Sequence, residues 1–323
     1  MKKNYIIKCF VIEPSSDLQN IFRKLIIEHH FIIDKGWENG PHIKLRGTLS
    51  FRELESVKQK INSQLDKSLT EFDEKLFLCR YKKIANQLGK GPETLSPLIR
   101  SKVLVEEEKH IFEKELEDTL FKEINYIFDS YFCNDYFKNI TIYEVIEEIL
   151  KFSDQLSLYE RRGSKDAYNC HLSHFIAFHH NLSDKDKYLI EQKFEKNFNN
   201  DLKQGVFNVD STPTLLTINL LRFFNKIKEL VEQKKLDFFM PYNKDILKRK
   251  LPNSSKIHKE TFSEKNIHFF LYNEVIIVNR WITNALYKKL LLLGLRNIDR
   301  FYLNYVISNL YFSENELRTS IEA

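Results

Sequence analysis

The order of apolar and polar positions divides the chain into two regions of different character. Tyr5 to Ile12 is β-rich. Ser16-Asp17 can cap a helix whose apolar positions Phe22, Leu25 and Ile26 carry it to about His30. Gly36 to Gly40 reads as a turn. His42 to Leu49 then alternates, with His42, Lys44 and Arg46 on one side and Ile43 and Leu45 on the other. A helix is predicted from about Arg52 to Leu65, and Glu74 to Tyr81 reads as a third strand. This β-α-β-α-β order predicts a ferredoxin-like module over residues 1–85.

Beyond Pro97 the pattern turns helical. Glu106 to Tyr131 places Ile111, Leu116, Leu120, Ile124 and Ile127 along one long helix. Another helix is predicted from Ile142 to about Leu158. Ser183 with Asp186 forms a capping pair for the next. Thr212-Pro213 reads as a helix start, with Pro at the first helical position, and that helix runs to about Lys234. A polar linker from Lys248 to Glu264 precedes Glu274 to Val278, an apolar run that reads as a strand meeting a helix. That helix spans Asn279 to Leu293 and stops near Gly294, and a last one spans Asn297 to Phe312. The expected fold class is α+β. A ferredoxin-like βαβ-type N-terminal module (1–85) merges with a largely helical part (86–323) in one domain of 1–323.

Composition narrows the function classes. The 323 residues hold only 8 Gly, with no G-x-G-x-x-G or Walker sequence, which argues against a nucleotide-binding architecture. A net charge of +5 permits an anionic partner without demanding nucleic acid. The four cysteines are widely spaced and form no C-x-x-C, so neither a zinc site nor a disulfide framework is expected. No apolar run is long enough to span a membrane, and the N-terminus lacks signal-peptide character. A cytoplasmic protein is expected.

Two segments carry candidate chemistry. In Gly36-Trp37-Glu38-Asn39-Gly40-Pro41-His42-Ile43-Lys44-Leu45-Arg46, glycines and proline build a tight entry to a strand. Its alternate residues, ~7 Å apart, present His42, Lys44 and Arg46 together. Such a face suits a carboxylate or a peptide carbonyl; it equally suits a solvated polar surface. Downstream, Tyr159, Arg161, Tyr168, His171, Ser173, His174, His179 and His180 crowd one stretch, with four of the chain's ten histidines between 171 and 180. His171 and His174 share a helix face, one turn after Tyr168. No His-Glu-x-x-His spacing is present, so general acid or base chemistry is the functional reading and a polar face with half-buried imidazoles the structural one. Asn279-Arg280 reads as a helix cap beside a cation that pairs with an acidic group.

The segment Trp37-Glu38-Asn39-Gly40-Pro41-His42-Ile43-Lys44-Leu45-Arg46 resembles a signature near the start of the glutamate-elimination domain of class I lantibiotic dehydratases. Asn279-Arg280 is similar to that family's late Asn-Arg motif, and Ser173-His174 to a Ser-His element in its middle. Stand-alone members of this length occur in thiopeptide biosynthesis. The resemblance implies one of two reactions: loss of glutamate from a glutamylated Ser or Thr, or union of two dehydroalanines into a pyridine by a formal 4+2 aza-cycloaddition. Val275 stands where elimination domains carry a histidine, Lys44 replaces an expected arginine, and no Arg-Tyr-Gly-Gly element follows Cys79. These departures favour the pyridine synthase.

The resemblance then implies a cofactor-independent enzyme acting on a precursor peptide with a leader and a modified core. Dehydratase proteins are further expected partners, with no nucleic acid and no membrane. Tyr159, Tyr168, Ser173 and His174 are the expected catalytic set. His42, Lys44, Arg46, Arg161, Asn279 and Arg280 are expected to bind substrate. Glutamate elimination and a non-catalytic leader-binding scaffold are the alternatives.

Overall fold

The computed structural model describes residues 2–87, 90–108, 115–159, 168–208, 210, 212–240, 252, 254–263 and 266–312. It divides into two compact units, residues 1–139 with 291–294, and residues 140–290 with 295–323.

The first unit is built on a four-stranded antiparallel sheet of order β2-β3-β1-β4. Its strands are β1 (Lys2–Cys9), β2 (Ile32–Gly36), β3 (His42–Ser50) and β4 (Val103–Glu107). Helix α1 (Ser16–His29) joins β1 to β2, and α2 (Phe51–Asn62) follows β3. This is the ferredoxin-like arrangement. Period-two patterning sends Ile7, Cys9, Ile33, Ile43 and Leu45 to one face, all essentially buried. Leu18, Phe22, Leu25 and Ile26 of α1 and Leu54, Val57 and Ile61 of α2 recur at helical spacing and supply the apolar stripes of those helices. Ser50 closes α2 with a reciprocal capping box to Glu53.

Three expectations change here. Glu74 to Tyr81 is not a strand but the start of α3 (Glu74–Gln87). Phe77, Tyr81, Ile84 and Ala85 turn inward at helical spacing, and Asp73 accepts from the Leu76 N–H at 2.9 Å. Strands β2 and β4 take its place in the sheet, so the α+β part runs past residue 85. Glu106 and Glu107 belong to β4; residues 109–114 of the expected helix, Ile111 among them, lie outside the described residues, and its remainder is α4 (Glu115–Phe132). Helix α4 also caps the exposed edge of the sheet. Asp129 accepts the Ile33 N–H of β2 at 3.1 Å and the Tyr136 hydroxyl at 2.5 Å, giving an edge donor a buried partner.

The second unit is helical: α5 (Ile142–Tyr159), α6 (Asn169–His180), α7 (Asp184–Lys203), α8 (Leu215–Glu232), the short α9 (Lys256–Thr261) and α10 (Ile267–Leu271), α11 (Glu274–Leu290) and α12 (Asn297–Tyr311). Helix α6 packs on α11 and α12, α8 on α5 and α11, and α12 also on α5. The cap of α8 is Thr214 rather than Thr212, its side chain accepting from the Thr217 N–H. Glu274 to Val278 is the first part of α11 rather than a strand. Val275, Ile276, Ile277, Val278, Trp281 and Ile282 are all buried, and a helix covered on most sides loses the one-sided periodicity that identifies it. Of the expected polar linker, Lys248 to Glu264, residues 248–251, 253 and 264 lie outside the described residues, and the remainder holds α9 rather than running as a linker. No described helix is long and apolar enough to cross a membrane.

Candidate functional site

The signature strand of the first unit is entered through a tight turn. Asn39 and Gly40 have positive φ (59° and 125°), and Asn39 is pinned by backbone bonds with Thr94 and Ile99, both 2.7 Å. His42 is buried. Its Nδ1 donates to the Gly40 carbonyl at 2.9 Å, and its ring lies over Gly36 and against Phe10. Burial holds its pKa down at about 4, so the imidazole is neutral.

Lys44 and Arg46 share the other, polar face of the sheet, as their spacing predicts. Each meets a carboxylate: Lys44 Nζ lies 3.8 Å from Glu38, and Arg46 Nη1 3.3 Å from the buried Glu108. Glu38 also takes Lys90 at 2.7 Å; burial works against its charge, but the two lysines hold its carboxyl at about 2. Lys8, opposite Lys44 in the register, pairs with Glu106 at 2.5 Å. This face is therefore internally neutralised.

The second unit gathers a denser polar cluster where α6, α11 and α12 meet. His171 is buried, and its Nδ1 lies 2.8 Å from Asn304 Oδ1, which also accepts the Tyr287 hydroxyl at 2.8 Å. One turn on, the half-buried His174 packs edge-on to the Tyr287 ring, centroids 5.1 Å apart. Burial lowers His171 to about 4 and His174 to about 3, the latter helped by the cationic field of Arg300 and Arg280. Burial likewise pushes the Tyr287 hydroxyl well above its ordinary range. At neutral pH these three groups carry no charge, and the cations beside them are guanidinium groups.

Ser173, between the two histidines, faces α9. Its Oγ lies 2.9 Å from His258 Nε2, while Ser255 Oγ lies 2.6 Å from His258 Nδ1. Cys170 Sγ meets Thr283 Oγ1 at 3.3 Å, and burial raises its thiol pKa. Asn279 is buried in mid-helix, where its Nδ2 donates back to the Val275 carbonyl at 2.9 Å; it does not cap α11. Arg280 donates to the Phe238 carbonyl and lies over that ring, 4.4 Å from its centroid.

Tyr168 is fully buried just before α6. It stacks on Tyr311 at 3.4 Å, and both hydroxyls donate to Asp154 Oδ1, at 3.2 and 2.9 Å. Arg161 and the side chain of Tyr159 lie outside the described residues. The expected residues thus form two groups, His42, Lys44 and Arg46 in the first unit and Tyr168, Ser173, His174, Asn279 and Arg280 in the second.

Sequence reasoning did not single out His258, Tyr287, Arg300 or Asn304. They reach the cluster from three other helices, so no local spacing joins them to the residues of α6. The only sequence signal was a polar stripe on α12, where Arg300, Asn304 and Ser308 recur every fourth residue. Among the described residues no group of three or more His, Cys, Asp or Glu side chains is placed to hold a metal ion.

No protein-family model matches the chain, and no curated protein matches it. Among solved structures it is similar to the pyridine synthase TbtD from thiomuracin biosynthesis. The TM-score is 0.66 at 12% sequence identity, over 96% of this chain and 99% of that one. It is also similar to TsrL, with a TM-score of 0.50 at 12% identity over 99% of both chains. At such identity the likeness is one of fold: the chain has a fold like that of a thiopeptide pyridine synthase.

Proposed function

We propose that this protein is a pyridine synthase of thiopeptide biosynthesis. Its substrate is a precursor peptide with a leader and an azole-containing core bearing two dehydroalanines. A formal 4+2 aza-cycloaddition joins them, and loss of water and of the leader leaves a pyridine-centred macrocycle. The observation that carries the reading is the likeness of fold to TbtD over nearly the whole length of both chains.

The chemistry of the α6 cluster supports it. Cyclisation asks first for positioning, then for proton transfers that tautomerise an amide and expel water and leader. Neutral groups that donate at one atom and accept at another suit such transfers. Ser173 with His258 is such a pair, and His174 beside Tyr287 is a second. In this reading Ser173 and His174 face the reacting amides, while Tyr168 works through Asp154 as a fixed hydrogen-bonded group. Asn279 and Arg280 support the wall of the site. Lys44 and Arg46, already held by carboxylates, donate to peptide carbonyls, and His42 fixes the turn from which they project. Tyr159 and Arg161 belong to the proposed set on the resemblance alone.

Glutamate elimination is the second reading. One observation favours it: Arg300 lies half-buried with no carboxylate partner among the described residues, as a site for a glutamyl group would require. Purified protein incubated in parallel with a bis-dehydroalanine peptide and a glutamylated peptide separates the readings by mass spectrometry. A macrocyclic product with release of an intact leader carboxamide supports the synthase. Turnover of the glutamylated peptide alone replaces it with elimination. Leader binding without turnover of either peptide leaves a scaffold.

A further inference from the structure

Among the described residues, no carboxylate answers the charge of Arg300, a guanidinium of the α6 cluster. It sits on α12, packed over the rings of Tyr287 (4.9 Å to the centroid) and Phe301 (4.4 Å). It makes no ion pair with any described residue, and its Nε is buried without a hydrogen-bond partner. Arg280, by contrast, gives its guanidinium to the Phe238 carbonyl. One turn beyond Arg300, Asn304 spends its Oδ1 on His171 and Tyr287, and its buried Nδ2 has no acceptor. A half-buried cation costs free energy unless something answers it. Arg300 Nε and Asn304 Nδ2, set four residues apart on one helix face, have no oxygen acceptor among the described residues.

We propose that Arg300 is a substrate-oxygen site: its guanidinium receives the amide oxygen of the core peptide that takes up charge during tautomerisation. This rests on the pyridine synthase reading. In that step the amide N–H bond breaks and an O–H bond forms, C=O becomes C–OH, and C–N becomes C=N. Negative charge builds on the oxygen while the proton is between the two atoms, and a fixed guanidinium offsets it without first having to leave a carboxylate. Tyr287, stacked beneath Arg300 and hydrogen-bonded to Asn304, fixes its plane.

The test follows the Nε–Hε signal of Arg300 in nitrogen-15 arginine-labelled protein, assigned by its loss in Arg300→Gln. A shift on adding the bis-dehydroalanine peptide is expected, with little change on adding the glutamylated peptide. A shift with the glutamylated peptide alone overturns the amide-oxygen assignment and moves the site to elimination. No shift with either overturns the proposal, whether or not the wild-type protein cyclises peptide. Where cyclisation is observed, Arg300→Gln should lose ~10²–10³-fold in turnover at saturating peptide. Its melting temperature should hold or rise, because an unanswered half-buried charge has been removed. A matching drop in melting temperature would make Arg300 a packing residue and defeat the assignment. Guanidinium ion added to Arg300→Ala should restore part of the turnover, a rescue that packing alone does not give.

Discussion

Ser173 Oγ and His258 Nε2 stand 2.9 Å apart, although 85 residues separate them in the chain. On the far side of the imidazole, Ser255 Oγ lies 2.6 Å from Nδ1. A neutral imidazole has one N–H and one lone pair, so one serine donates to the ring while the other accepts from it. Ser173 can therefore take a proton from substrate as it passes its own to Nε2, leaving the ring protonated on both nitrogens, and the reverse transfer returns that proton to substrate. Ser173→Ala and His258→Gln should each reduce turnover of the bis-dehydroalanine peptide by ~10²-fold or more. Because the two act as one relay, the double variant should be no worse than the poorer single variant. Losses that multiply in single-turnover assays would show that the two side chains work separately.

Buried imidazoles make stability depend on pH in a defined direction. His42 and His171 are almost wholly buried, and each has its pKa lowered from 6.5 to about 4. As pH falls below 6.5 the unfolded chain takes up protons that the folded one refuses. Stability is therefore complete above pH 6.5 and declines between 6.5 and about 4, by up to ~1.4 kcal/mol per pH unit for each such group. Urea denaturation at pH 7, 6 and 5 should show this decline, and His171→Gln should flatten its share. An unchanged midpoint from pH 7 to 5 would mean that these rings are protonated in the fold.

The parts of the fold legible in the sequence were those with one-sided burial. β3, α2 and α5 each expose one face, so their periods survive in the order of residues. The apolar start of α11 did not read as helix because nearly every residue from Val275 to Ile282 is buried. Glu74 to Tyr81 read as a strand, and Phe77 and Tyr81 do favour extended chain, yet Leu76 and Leu78 are exposed while Phe77 and Tyr81 turn inward at helical spacing. Tertiary contact overrode propensity there. In the candidate site, the shared face of His171 and His174 was readable from a spacing of three. Their partners Asn304, Tyr287 and His258 were not, because only the packing of separate helices brings them together.

Gly36 offers a test of the signature turn. A β-carbon added there would lie 2.1 Å from His42 Nε2, closer than any side chain tolerates. His42 is walled in by Phe10 and tied to Gly40, so its ring has no room to retreat. Gly36→Ala should cost ~1–3 kcal/mol in denaturant unfolding. Gly36→Ala combined with His42→Ala should recover part of that loss, since the smaller side chain vacates the contested volume. Equal stability of Gly36→Ala and wild type would remove the argument that glycine is needed for ring packing.

Asp154 joins the start of α6 to the end of α12 through one oxygen. Its Oδ1 accepts the hydroxyls of Tyr168 and Tyr311, whose rings stack within 9° of parallel. Burial, helped by the Asp154 carboxylate, keeps both phenols protonated. Asp154→Ala strands the fully buried Tyr168 hydroxyl without its acceptor, which should cost ~1–3 kcal/mol. Asp154→Asn retains an acceptor oxygen and should cost less. Tyr168→Phe removes the donor together with the need for an acceptor, so combining it with Asp154→Ala should cost clearly less than the sum of the two changes. If Tyr168 serves the reaction through this bond, Tyr168→Phe will also lower turnover at saturating peptide, by more than its loss of stability explains. Turnover that follows the folded fraction alone would confine Tyr168 to holding α6 in place.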